Sequence, residues 1–169
     1  MKWFVAIILL VIGIDQFTKK LAVDYLSNLP DGIAIIPGFF SLTFAQNRGV
    51  AFGVEFAPPA MLLLLTGLIT LTVLFYVFRS KRNDAIFLVP FALIVGGGIG
   101  NMIDRVTIGK VIDFIYFDLY QGSIFGHYVS LWPIFNIADS AITIGACMLV
   151  LFHNRVFPQD APGEKADVR

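Results

Sequence analysis

The feature that most constrains this chain is a pair of long apolar runs without a charged residue, Pro58 to Phe78 and Ile86 to Ile103, separated by a short basic stretch. A helix rises about 1.5 Å per residue, so each run is of a length that crosses a hydrocarbon core of about 30 Å. A third run, from about Ile137 to Phe157, reads the same way. The whole chain agrees with a bilayer as solvent, being 57% apolar and 14% charged with a mean hydropathy of +0.81, far from the balance of soluble domains. Twelve basic residues balance twelve acidic ones, which leaves no basic surface for a nucleic acid and no polybasic lipid clamp.

The amino terminus has Lys2 ahead of an apolar run from Trp3 to Ile14, the charge and length of a secretory signal. No small-x-small cleavage site follows, so the run reads as a retained first span. Its 12 residues would rise only about 18 Å, and the helix is therefore expected to continue through Asp15. Ile14, Phe17, Leu21 and Tyr25 keep helical spacing, while Asp15 and Lys19 lie four apart on another face, which places an ion pair in the outer half of the span.

The expected fold is an all-α integral membrane protein: four transmembrane helices in one domain, residues 1–157, with a disordered cytoplasmic tail at 158–169. A small extracytoplasmic β-hairpin at the membrane surface is expected from Ile33–Ile36, Pro37-Gly38 and Phe39–Gln46, because Pro and Gly suit the centre of a type II turn. Four spans put Asp15, the loop 27–57, the stretch 104–133 and residues 136–139 on one side. The other side carries seven basic residues against five, which favours both termini cytoplasmic. The single cysteine, Cys147, has no partner for an intramolecular disulfide, and His127 and His153 lack metal-ligand spacing, so packing is the expected role of all three.

Carboxylates near a bilayer are expensive, roughly 2.5–3.5 kcal/mol at a helix centre, and are functional candidates for that reason. Asp139 follows Asn136, which suits an N-cap, so Asp139 is either a first-turn capping carboxylate or a working group facing exposed backbone N–H groups. Asp113 sits in a β-branched and aromatic run, Val111 to Phe117, entered through Gly109; alone it reads as a strand residue with its side chain in water, and a partnership with Asp139 would reverse that reading. Gly96, Gly97, Gly98 and Gly100 suit close helix packing, with Gly96 and Gly100 forming a G-x-x-x-G pair. Their spacing and place at the end of a membrane helix exclude a dinucleotide loop. Asn101, Asp104 and Arg105 read as scaffold or substrate contacts, and Asn47 and Gly49 as a turn that offers hydrogen bonds and an unusual backbone angle.

Taken together, five separated blocks resemble lipoprotein signal peptidase, the signal peptidase II family of membrane aspartic peptidases. They are Asp15-Gln16 with Lys19; Asn47 with Gly49, Ala51 and Phe52; Gly97 and Gly100-Asn101 with Asp104-Arg105; Val111 with Asp113-Phe114; and Phe135-Asn136 with Ala138-Asp139. The resemblance implies that Asp113 and Asp139 are the catalytic pair, with Asp15, Lys19, Asn47, Gly49, Gly100, Asn101, Asp104, Arg105, Asn136 and Ala138 in supporting or substrate-binding positions. It also implies an endopeptidase of the bacterial inner membrane that cuts diacylglyceryl-modified prolipoproteins just before the lipidated cysteine, on the extracytoplasmic side. No metal or organic cofactor is needed for that chemistry. The partners expected are the lipid-modified substrate and membrane lipids, with no nucleic acid, for a chain acting as a monomer. The segment from Ile115 to Pro133 looks long for the family. A small transporter or channel and a helical membrane adaptor are the competing readings; the first usually shows midplane charges, and the second rests on the glycine pair alone.

Overall fold

The structure is a computed structural model and describes residues 1–49, 58–119, 121–124, 127–130 and 132–158. Ala51, Phe52 and the tail from residue 159 onward lie outside the described residues, as does the side chain of His127. Four principal helices, α1 (Lys2–Leu26), α2 (Pro59–Ser80), α3 (Ala85–Ile108) and α4 (Ile137–Leu151), accompany strands β1 (Ile33–Ile36), β2 (Phe40–Asn47), β3 (Val111–Phe117), β4 (Gln121–Ile124) and β5 (His127–Ser130), and a short α5 (His153–Val156).

α1 does run unbroken through Asp15. Its inward stripe is Phe4, Val11, Asp15, Lys19, Ala22 and Leu26, whereas Ile14, Phe17, Leu21 and Tyr25 are exposed. The polar pair thus faces the protein and the apolar residues face outward, the arrangement a lipid solvent favours. By length and composition, two helices are apolar enough to cross a membrane, Ala60–Ser80 and Ala85–Ile108, and Ile137–Leu151 is a shorter apolar helix. The expected fourth span to Phe157 is divided: α4 ends at Leu151 and α5 takes up the chain. Cys147, expected to pack, is exposed.

α3 is the central post, packed against α1, α2 and α4. Its glycines explain how. A Cβ on Gly96 would press Val11 of α1, one on Gly97 the carbonyl of Ala138 in α4, and one on Gly98 the Thr70 hydroxyl of α2 at 2.9 Å. The G-x-x-x-G pair therefore serves the α1 contact, because Gly100 lies against the Asp15 carboxylate. At the far end of the bundle, Phe4, Val77, Phe87, Phe91 and Val156 form an apolar core. Tyr76 meets the rings of Phe91 and Phe157 there, at 5.5 and 6.3 Å. Arg82 lies over Phe87, 4.6 Å from the ring centre, and donates to the Val156 carbonyl at 2.6 Å.

The helical expectation needs one correction, since the chain also builds a three-stranded antiparallel sheet in the order β1-β2-β3, with β4 and β5 as a separate hairpin within the long segment after Asp113. The first hairpin has the expected type II turn: Phe39 N–H donates to the Ile36 carbonyl at 3.0 Å, and Gly38 has a φ of 71°. Gly109 closes α3 with a φ of 73°, and this left-handed cap redirects the chain into β3 within two residues. In β3, Ile112 and Phe114 pack on Ala22 and Leu26 at the end of α1. Alternation along the strand then sends Asp113 to the opposite face. Ile115 and Phe135 exchange backbone hydrogen bonds of 2.8 and 3.0 Å, which draws the residues ahead of α4 onto the strand that carries Asp113.

Candidate active site

Lys19 is the electrostatic centre of the polar cluster. Its ammonium touches Asp15 Oδ2 and Asp104 Oδ2, both at 2.9 Å, and donates to Asn101 Oδ1 at 2.9 Å. All four side chains are buried, so three acceptors satisfy three donors where water is excluded. Asp15 spans further, accepting the Ala138 N–H through Oδ1 at 2.9 Å, at the first turn of α4. Asp104 accepts the Ile112 N–H through Oδ2 at 3.0 Å, one residue before Asp113. The ion cluster on α1 and α3 therefore fixes both chain segments that present the candidate catalytic carboxylates.

Two amides complete the frame. Asn101 accepts from Lys19 and donates through Nδ2 to Asp139 Oδ1 at 2.8 Å. Asn136 caps α4 with a reciprocal capping box, its Oδ1 accepting from Asp139 N–H at 2.9 Å and its own N–H donating to Asp139 Oδ2 at 3.2 Å. Its Nδ2 also reaches Asp113 Oδ1 at 2.7 Å. Both carboxylates thus hydrogen-bond to one residue, which brings together groups 26 positions apart in the chain (139 minus 113). Asp139 is a capping carboxylate and a member of this pair at once. Asp113, 2% exposed, is not the solvated strand residue that its local sequence suggests.

Burial is the largest influence on Asp113, and the neighbouring Asp139 charge adds to it; together they push its carboxyl up to about 7 against hydrogen bonds from Asn47 and Asn136 and the Lys19 charge. Asn47 Nδ2 donates to Asp113 Oδ2 at 3.1 Å, while its Oδ1 accepts the Gly49 N–H at 2.9 Å. Gly49 serves through its backbone groups, its carbonyl lying 3.4 Å from Arg105 Nη2. The positive φ angles among the described residues fall instead at Gly32, Gly38, Gly109 and Lys81.

Asn47, Asn101, Arg105 and Asp139 line a cavity of about 550 Å³ whose other walls come from α2, α4 and the 132–135 segment. Every supporting residue anticipated from sequence lies in or against this assembly, Gly100 and Ala138 included. Gln16 has a larger part than its sequence signal conveyed: its side-chain amide donates to Asp104 Oδ1 at 2.9 Å and reaches the Gly100 carbonyl at 3.2 Å. Its place beside Asp15 in a matching block was the available clue. Trp132 and Thr66 also line the cavity, and no sequence pattern marked either one.

An apolar helical bundle carrying this buried carboxylate and amide cluster places the chain among membrane enzymes. It is similar to two solved bacterial membrane enzymes determined in meso at 2.3 and 1.9 Å, with TM-scores of 0.79 and 0.76 and 28% identity to each. The matches cover 98% and 95% of this chain and 96% of each neighbour. More specifically, the chain belongs to the signal peptidase (SPase) II family, which matches residues 7–155. It is 68% identical to the lipoprotein signal peptidase of Pelodictyon phaeoclathratiforme over the full length of both chains, and 67% identical to that of Chlorobium luteolum over 94% of this chain and 95% of the relative. The Clostridium tetani lipoprotein signal peptidase is 38% identical over 86% of this chain and 90% of the relative. The protein is accordingly a membrane peptidase, and the transporter and adaptor readings give way.

Proposed function

We propose that the protein is an aspartic endopeptidase that removes the signal peptide from diacylglyceryl-modified prolipoproteins, cutting just before the lipidated cysteine. The observation that carries this reading is the shared anchoring of Asp113 and Asp139 on Asn136 beside an open cavity. Two carboxylates so held ionise together only at high cost, and one proton is retained by the pair. The ionised group takes a proton from water as the water attacks the scissile carbonyl. The protonated group donates to the carbonyl oxygen, and the proton taken from water passes to the departing amine. The titration belongs to the pair, so neither aspartate is assigned a fixed role as base.

Asp15, Lys19, Asn101, Asp104 and Asn136 hold the carboxylates, and Asn47, Gly49 and Arg105 border the space where the peptide enters. The remaining features of this reading are four spans, with α1 and α4 joining α2 and α3, in the bacterial inner membrane, both termini cytoplasmic, and the sheet and carboxylates at the extracytoplasmic surface. The enzyme acts there as a monomer among membrane lipids. Purified protein in detergent should cut a diacylglyceryl-modified precursor and leave the unlipidated precursor intact. Asp113→Asn and Asp139→Asn should each lower turnover by about 10²–10⁴-fold, the usual worth of general acid–base catalysis, while keeping precursor binding. Normal turnover by either variant refutes the mechanism.

A further inference from the structure

The cavity has a direction. α3 and α4 run antiparallel, since Gly97 lies against Ala138 and Ile142 whereas Gly145 lies against Pro90 and Ile94. Ile142 and Thr143 are therefore about one turn, some 5 Å, further along α4 than the Asp139 carboxylate, and Gly98 is one turn before Asn101 on α3. All of these residues line the same cavity, as does Thr66 of α2. Its lining begins with Asn101 and Asp139 and passes to Gly98, Ile142 and the threonines, along the axis of the bundle. The Thr66 hydroxyl is already engaged by the Leu62 carbonyl at 2.8 Å, which leaves its methyl group as the face it can offer.

The same space lies between two helices that both rest on α3. α2 is gripped by rings at its Tyr76 end, while toward the carboxylates the cavity separates it from α4. A volume of about 550 Å³ falls in the ~300–1,000 Å³ range of small-ligand pockets, and a helix about 10–12 Å across does not enter it. An extended aliphatic chain does, and it leaves no buried polar group unpaired.

We propose that the groove floored by Gly98, with Thr66 on one side and Ile142 and Thr143 on the other, seats an acyl chain of the substrate. This rests on the peptidase reading above, in which the lipid is attached beside the scissile bond. A chain tethered there has to leave the carboxylates along the bundle axis to reach hydrocarbon, and the groove follows that path. Lipid recognition then becomes part of the active site, and the length of the chain becomes a determinant of cleavage.

The test uses two synthetic precursors that differ only in the glyceryl group on the cysteine, dipalmitoyl or dihexanoyl, with full-length enzyme in detergent micelles. For each variant the ratio of kcat/KM between the two substrates is taken, which cancels micelle partitioning. Thr143→Trp places a large ring in the groove from an exposed position, and Thr66→Phe fills it from α2. Ile144→Trp, at a site 54% exposed and off the lining, is the control. Both filling variants should lower the dipalmitoyl to dihexanoyl ratio by about tenfold or more, and the control should keep the wild-type ratio. Equal losses on both substrates, or an unchanged ratio, would mean that peptide rather than lipid occupies the groove and would overturn the proposal while leaving the peptidase intact. If wild-type enzyme cuts neither precursor, the peptidase reading fails and this inference with it.

Discussion

Replacing Lys19 with methionine tests whether one ammonium holds the site together. The methionine keeps the length and apolar stem of lysine but deletes contacts of 2.9 Å to Asp15, Asp104 and Asn101. At an effective dielectric of about 20, each ion pair at that distance has a gross attraction of about 6 kcal/mol. Desolvation of the three charges offsets much of it. What decides the outcome is the state left behind: Asp15 and Asp104 remain buried with no counter-charge, and breaking a buried pair in this way costs about 3–5 kcal/mol. At about 2–4 °C per kcal/mol for a chain of this size, the melting temperature should fall by about 6–20 °C. Thermal unfolding in detergent, followed by circular dichroism, reads this directly. The double variant Lys19→Met/Asp104→Asn removes one of the stranded charges and should recover part of the loss. A loss below about 1 kcal/mol for the single variant, the range of an exposed pair, would refute the claim that Lys19 is counter-ion to both carboxylates.

Activity should decline as pH rises through about 7, where Asp113 gives up the proton the pair needs, and a pH profile of kcat/KM measures this. The same group makes stability pH-dependent: folded protein keeps the Asp113 proton up to about pH 7, unfolded chain loses it near 4, so stability falls as pH rises between those values. Asp113→Asn should flatten that slope in chemical denaturation series. Gly97→Ala drives a methyl into the Ala138 carbonyl and Ile142 and should cost about 1–3 kcal/mol as an overpacked core does, while Gly13→Ala, which meets nothing within 4 Å, should melt at or above the wild-type temperature. Asp84→Ala removes the side chain that accepts the Phe87 N–H at the start of α3 at 3.0 Å and should lower unfolding free energy by about 1 kcal/mol, as lost N-caps do.

What was legible in the sequence was whatever one segment decides for itself. The apolar runs at Pro58–Phe78 and Ile86–Ile103 became α2 and α3 within a few residues, because a bilayer-length helix satisfies its own backbone. Pro37-Gly38 specified its turn, and Asn136 with Asp139 specified a cap, each through local hydrogen bonds. The central position of β2 in a three-stranded sheet was not readable, since the pairing of Ala45 with Asp113 depends on contact between segments far apart in the chain. The break after Leu151 escaped for a different reason: apolar residues continue through it, so hydropathy carries no mark of where α4 stops. At the site, the Asp15–Lys19 pair followed from spacing, but the second partner of Lys19 did not. Asp104 lies 85 positions away (104 minus 19), and only the packing of α1 on α3 brings it within reach.

The four glycines of α3 have a mechanical result. Successive residues on a helix point about 100° apart, so positions 96, 97 and 98 look toward three different neighbours, and Val11, Ala138 and Thr70 occupy those directions. A roll of α3 in either sense presses backbone or side-chain atoms on at least one flank, and a slide along its axis meets the Asp15 carboxylate at Gly100. The helix behaves as a keyed axle, and the carboxylates and amides hung from it hold their spacing before any substrate arrives.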